Sequence, residues 1–361
     1  ADSTPVVTVL ACPCGLPIAI SVSPIISVAE RPISIGLTLS PAPSCICSSA
    51  RSCVFEWLMT AAGAVRPSRS RTTTCRSGSS RLRSTIGQTP CQFVITRPDT
   101  PRPWINYLSN GEYCGVISQT GGGFSWYLDP AHHRITRWAP ANYLSDRPGR
   151  YIYIRDKESG AVSSGTYAPC NRGDRYECRH GLGYTRIKNR YESIQAVTTF
   201  FVPEKERLEI WMIEVKNTSR QPRKVEVFPF IEWHLGHWES ELAVRNLTVL
   251  MNEGVFNERL QAVWAGKFPW GNKPWPFHAF FGSSLDVKGY DVDYENFVGA
   301  AGDYGNPVAL KGKGCTNSRV RGNNMVGVLQ HELSLQPGET KSFTVVMGLA
   351  EKEDEAAGLL K

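Results

Sequence analysis

The chain has no run of eighteen apolar residues, so a membrane-spanning helix of ordinary length is not expected. It does not open on a basic segment followed by an apolar one. No secretory signal is therefore visible and cytoplasm is the default compartment, although a mature chain starting at Ala1 would look the same after losing a leader. Histidine is missing before His132, and residues 1–91 contain no lysine. Seven of the eleven cysteines lie in those first 91 residues. Cys12 and Cys14, like Cys45 and Cys47, are separated by one residue, tighter than a zinc knuckle, so neither a zinc site nor a disulfide framework is expected. A basic stripe is lacking as well. Residues 1–92 carry eight arginines against three acids, while the remainder is nearly balanced at 32 basic and 30 acidic side chains, which argues against a nucleic-acid binder. No HExxH motif is present, and Gly121-Gly122-Gly123 is followed by Phe124 and Trp126 rather than by the GK[ST] of a phosphate loop.

What is present falls into two textures. Residues 1–91 form an atypical segment rich in Ser, Pro, Arg and Cys. Short strands are expected at Val7–Leu10 and Ile18–Val28, a short helix at Val54–Ala64, and disorder at Arg66–Arg83. From Gln92 onward, runs of β-branched and aromatic residues alternate with Gly, Pro, Asn and Asp. Strands are expected at Tyr113–Ser118, Arg150–Asp156, Gln195–Val202, Leu208–Lys216 and Lys224–Trp233. Others are expected at Leu247–Met251, Gln261–Trp264, His278–Ser283, Met325–Leu335 and Lys341–Gly348. Gln336-Pro337-Gly338-Glu339 reads as a hairpin turn, residues 217–223 as another turn, and Asn110-Gly111 as a tight one. So many strands predict an all-β fold, a large antiparallel β-sandwich spanning 92–350. Helical signals are thin: Glu239–Leu250 has some helical spacing, and the acidic segment 351–361 reads as the start of a helical linker.

Thr100–Trp126, TPRPWINYLSNGEYCGVISQTGGGFSW, concentrates glycines beside aromatics. That pattern predicts a backbone in close approach to another sheet or to a flat polar ligand. Together with DPAHHRITRW, GRYIYIRD, FFVPEKERLEIWMIEVKNTS, FPFIEWHLG, DVDYENFVG and LSLQPGETKSFTVVMG, it resembles the amino-terminal region of the inverting glycoside phosphorylases. These are the enzymes related to cellobiose, cellodextrin and chitobiose phosphorylases and to the phosphorylase-like part of cyclic β-glucan synthases. The resemblance covers residues 92–361. It implies a galactose-mutarotase-like supersandwich, with a helical linker and an (α/α)6 barrel that carries the catalytic acid beyond it. It further implies a homodimer or a barrel domain as partner, an oligosaccharide ligand, inorganic phosphate as co-substrate of the complete enzyme, and no other cofactor. On this reading the chain stops near the start of the linker and is inactive alone. A stand-alone carbohydrate-binding module and a structural or dimerisation fragment are the rival readings.

Inverting phosphorolysis needs one carboxylic acid to protonate the leaving oxygen while phosphate attacks the opposite face. Asp129, Asp146, Asp156, Glu232, Glu239 and Glu241 lie near aromatics, but none is paired by spacing. Solvated surface positions are expected for them, and no catalytic residue is assigned. Sugar contact is better supported, because aromatic faces and fork-shaped donors suit pyranoses. Arg102, Trp104, Asn106, Trp126, Asp129, Arg134 and Arg137 are the candidate substrate-binding residues, with core packing and structural ion pairs as the alternative for each. Adjacent His132 and His133 face opposite ways on a strand, and His234 with His237 sits in a β-rich context, so no metal site is assigned.

Overall fold

A computed structural model describes residues 92–138, 146–238, 245–268 and 275–361, together with the backbone of two dipeptide strands near the start. The chain divides into two compact units, Ala1–Glu56 and Trp57–Lys361. In the first, Leu10–Ala11 (β1) pairs antiparallel with Pro17–Ile18 (β2). The helix at Val54–Ala64 and the disorder at Arg66–Arg83 that the sequence predicts lie outside the described residues.

In the second unit the strands begin with Gln92–Ile95 (β3), Ile105–Ser109 (β4), Tyr113–Ser118 (β5), Ser125–Tyr127 (β6) and Arg134–Thr136 (β7). Tyr151–Asp156 (β8), Val162–Ser164 (β9), Arg175–Gly181 (β10), Tyr184–Tyr191 (β11) and Ile194–Phe201 (β12) follow. Next come Leu208–Asn217 (β13), Arg223–Gly236 (β14), Asn252–Asn257 (β15), Ala262–Lys267 (β16) and His278–Ser283 (β17). Gly289–Asp293 (β18), Val320–Arg321 (β19), Met325–Leu335 (β20) and Thr340–Ala350 (β21) complete the set. They build a ten-stranded sheet in the order β19-β15-β16-β17-β21-β13-β12-β11-β10-β3. A nine-stranded sheet runs β18-β20-β14-β7-β6-β5-β4, with β8 paired to β14 and β9 to β8.

The main core lies between the sheets. Trp211, Ile213 and Val215 of β13 and Phe281 of β17 share it with Val225, Val227 and Ile231 of β14. Each large side chain of this kind contributes roughly 1.5–3 kcal/mol by leaving water. A second cluster covers the other face of the nine-stranded sheet. There Tyr151, Tyr153, Phe228 and Phe230 are roofed by Phe297 and Leu310 from the short helices Tyr294–Phe297 and Val308–Lys311. With both faces covered, β14 is buried continuously from Val225 to Leu235, which is why its sequence reads as an apolar run instead of alternating. The acidic helix expected near the end is Glu353–Leu359, which buries Ala356 against Leu208 and Phe280.

Two expectations are corrected. Leu247–Met251 is helical, an α-turn at Arg245–Thr248 running into a 3-10 turn at Val249–Met251. Sheet pairing begins only at Asn252, and Leu247 and Leu250 face solvent. The turn at Gln336–Glu339 forms, with Glu339 N–H donating to the Gln336 carbonyl and Gly338 at φ +75°. It closes no hairpin, however, because β20 belongs to one sheet and β21 to the other. Residues 217–223 cross between sheets in the same way.

Candidate functional site

The triple glycine is where backbone meets backbone. Gly121 offers its carbonyl to Arg150 N–H at 2.8 Å, and Gly122 bridges Gly149. Gly123 has φ +119°, and a Cβ there would lie 2.1 Å from the Val116 carbonyl oxygen. A Cβ on Gly122 would strike the Asp146 carboxyl at 2.2 Å. The close approach read from the sequence is therefore to the 146–150 segment of the chain itself.

Past these glycines the pleat sorts the side chains. Ser125, Tyr127 and Ile135 face the core, leaving Phe124, Trp126 and Arg134 on the other face of the nine-stranded sheet, where Phe124 and Arg134 are buried and Trp126 is partly exposed. Phe124 stacks on Trp138 at 5.7 Å and 15°, and its ring also meets Trp126 at 5.0 Å. The Arg134 guanidinium lies 4.1 Å from the centre of the Phe124 ring, a cation–π contact. Beside this stack, Asp146 accepts from Ser118 Oγ at 2.5 Å, Thr120 Oγ1 at 3.1 Å and Trp138 Nε1 at 3.3 Å. Burial pushes its carboxyl up to about 6, against the pull of those three donors.

Arg137 continues the same region. Its Nη1 reaches Glu232 Oε1 at 2.8 Å, and Arg245 Nη2 approaches the same oxygen at 3.5 Å. Tyr304 donates its hydroxyl to Glu232 Oε2, and Arg245 also donates to Asn324 Oδ1 at 2.8 Å. Burial, then the Glu232 charge, holds the Tyr304 phenol well above its usual range, so it remains a donor. Glu232 and Asp156 are thus buried and paired, contrary to the solvated role expected of them; Arg223 Nη1 meets Asp156 at 3.0 Å. Glu239 and Glu241 lie outside the described residues.

The structure sets Trp126 opposite Arg134 in the β6–β7 ladder, with the Phe124 ring touching both, whereas Arg137 turns to Glu232 and the other candidates lie elsewhere. Asn106 faces the ten-stranded sheet, where its Nδ2 donates to the carbonyls of Gly181 and Tyr184 and to Thr185 Oγ1. Trp104 packs on the main core beside Phe93, and Arg102 is exposed. Asp129 caps a turn, accepting from the backbone of Ala131 and His132 and pairing with the His132 ring at 3.1 Å. His234 lies on β14, and its Nε2 pairs with the His237 carbonyl at 2.9 Å. Sequence reasoning missed Phe124, Trp138, Arg245 and Tyr304. One signal pointed toward the last two: Glu232 falls two residues after Phe230 on a strand, and an acid in an apolar row must find partners.

Chemically, this region gathers aromatic rings, guanidinium groups and a phenol, the residue types that contact polyhydroxylated ligands, with Arg137, Arg245 and Tyr304 engaged by Glu232. Among the described residues its two carboxyls, Asp146 and Glu232, are held by internal donors.

Several known proteins are similar to this chain. An N,N'-diacetylchitobiose phosphorylase of Vibrio furnissii is 35% identical over 272 residues, covering 73% of this chain and 33% of the relative. A solabiose phosphorylase of Paenibacillus borealis is 31% identical over 290 residues, covering 75% and 35%. The chain thus spans about a third of the length of these relatives. Among solved structures, a putative kojibiose phosphorylase from the human microbiome aligns over 70% of this chain and 32% of its own, with a TM-score of 0.41 and 10% identity. Residues 91–361 match the model of the glycosyl hydrolase 94 supersandwich domain, and the chain belongs to that family.

Proposed function

We propose that this chain supplies the supersandwich portion of an inverting glycoside phosphorylase that converts β-linked gluco-oligosaccharides and inorganic phosphate into sugar 1-phosphate in the cytoplasm. In this reading residues 92–350 are the sandwich, 351–361 open a helical linker, and 1–91 stand apart. The observation that carries it is the family match over 91–361; the Trp126–Phe124–Arg134 cluster is the part of the sheet we assign to sugar contact. The relatives' printed activities, on chitobiose-type and solabiose substrates, are phosphorolytic and fit the same class. The sandwich contributes by packing on a catalytic barrel, its own or that of a second subunit, and by presenting this face to the sugar.

The chain alone, given cello-oligosaccharides and phosphate, is expected to release no sugar 1-phosphate. Mixed with the barrel portion of the Vibrio furnissii relative, it is expected to restore phosphorolysis. Trp126→Ala or Arg134→Ala should then lower the restored rate on the order of tenfold through lost positioning. Release by the chain alone overturns the non-catalytic reading, and wild-type rates in both variants overturn the role of the face.

A further inference from the structure

The outward face of the ten-stranded sheet is a separate feature. Its register places small side chains in the middle and long charged ones on either side. On β12 the outward positions are Gln195, Val197 and Thr199, which form a floor. On β11, Arg186 pairs with Thr199 and Lys188 with Val197; on β13, Glu214 pairs with Val197 and Lys216 with Gln195. Two strand spacings separate these walls by about 10 Å, and the floor runs for about 14 Å along the strand. The resulting groove holds about 700 Å³, with the half-buried ring of Tyr184 at one end.

Charge tells what fits. Arg179, Arg186, Lys188 and Lys216 line the groove against only Glu177 and Glu214. Arg179 stands directly opposite Arg186 in the ladder, and Arg175 opposite Arg190 one step beyond the Glu177–Lys188 pair. Like charges directly across a ladder destabilise it, so these pairs weaken the sheet unless an anion lies between them. Arg179 is held by Glu177 at 2.7 Å, and the pair spanning the groove, Arg186 to Glu214, is long at 3.8 Å and exposed. A contact of that kind yields readily to a better partner.

We propose that this groove is a saccharide-binding site that takes a short oligosaccharide bearing carboxylate or phosphate groups. Its guanidinium and ammonium groups hold the anionic substituents, Gln195 and Thr199 bond hydroxyls, and Val197 meets the ring C–H face. The choice of a saccharide over an acidic peptide rests on the glycoside reading above.

The test is calorimetric titration of the full chain with trigalacturonate, glucose 6-phosphate, cellotriose and hexaglutamate at one ionic strength. At least one anionic sugar is expected to bind about tenfold more tightly than cellotriose. The Arg186→Glu/Lys188→Glu double variant should lose that binding, and Lys216→Gln should weaken it several-fold. The two anionic arms separate a uronate ligand from a sugar phosphate. No anionic binding at millimolar ligand, equal binding of cellotriose, or indifference to charge reversal overturns the site. Hexaglutamate binding as tightly as the sugars would reassign the groove to an acidic protein partner. If a variant does not fold, the four wild-type titrations still decide. The phosphorolysis assay reports on the other sheet, so either proposal can fail while the other stands.

Discussion

Arg150 and Glu209 are the most deeply buried ion pair among the described residues. Both are fully buried, and Arg150 grips the carboxylate twice, Nε to Oε1 at 2.5 Å and Nη2 to Oε2 at 2.9 Å. Its remaining nitrogen reaches the Val116 carbonyl, while Ser125 Oγ and Trp211 Nε1 donate to Glu209. Burial opposes the Glu209 charge, yet the Arg150 charge prevails and the carboxyl stays below its ordinary range. The pair joins the two sheets, since Arg150 enters β8 and Glu209 lies on β13. Removing one partner strands the other charge in the core. Glu209→Gln should cost about 3–5 kcal/mol by denaturant unfolding, whereas Arg150→Met with Glu209→Met should cost less than the two single losses combined. An additive double variant would show that the pair is not coupled. At this scale the sequence reveals which side chains can meet a sugar but not which of them face outward. Asn106 and Arg134 both sit on strands, and the same residue types serve either face. Parity on β14 is further broken at Leu235, whose φ of +48° accompanies the register shift before Gly236. Arg150 itself drew no notice, because an arginine opening a strand looks like a surface residue until its partner 59 positions away is known.

Elements are tied together by Asn217, which the sequence presents as an Asn-x-Ser/Thr sequon. It is fully buried at the point where both sheet-to-sheet crossings meet. Its Nδ2 donates to the carbonyls of Gln221, Leu335 and Gln336, and its Oδ1 accepts from Ser219, so one amide fastens the 217–223 crossing to the 336–339 crossing. Asn217→Asp keeps the shape but turns a donor toward three carbonyls into a charge, so it should destabilise more than Asn217→Ala, which is expected to cost about 1–3 kcal/mol. Chemical denaturation of both variants checks the order, and a milder Asp variant would remove Asn217 from this role. Strands with apolar inward faces were legible: β5, β17 and β20 match their expected spans residue for residue. β10 and β11 were not, because their inward positions include His180, Thr185 and Asn189 and their outward ones are charged, leaving no apolar period to read. Those two strands supply one wall and one rim of the groove, so the hardest strands to read carry the new site.

For the molecule as a whole, two buried groups among the described residues pull the acid response in opposite directions. Asp146, pushed up to about 6, holds its proton more tightly folded than unfolded, so the stability it adds is present below about pH 4 and is lost as pH rises through 6. His180 is driven down to about 4 by burial, despite its bond to the Trp104 carbonyl. The folded chain therefore binds that proton less well, and the stability it adds is present above about pH 6.5 and is lost as pH falls through 4. His331 and His278, both lowered by burial, act with His180. Between pH 4 and 6 the Asp146 contribution opposes those of the histidines, so the parent profile should rise less steeply with pH than it would without Asp146. Asp146→Asn removes one side, so its stability should climb with pH across that window, by at most about 1.4 kcal/mol per pH unit for each proton released. His180→Gln should tilt the other way, its stability rising less with pH than the parent's between 4 and 6. Urea midpoints at pH 4.5, 5.5 and 6.5 distinguish the three proteins. Parallel profiles for parent and Asp146→Asn would mean that the Asp146 carboxyl is not shielded from water beside Ser118, Thr120 and Trp138.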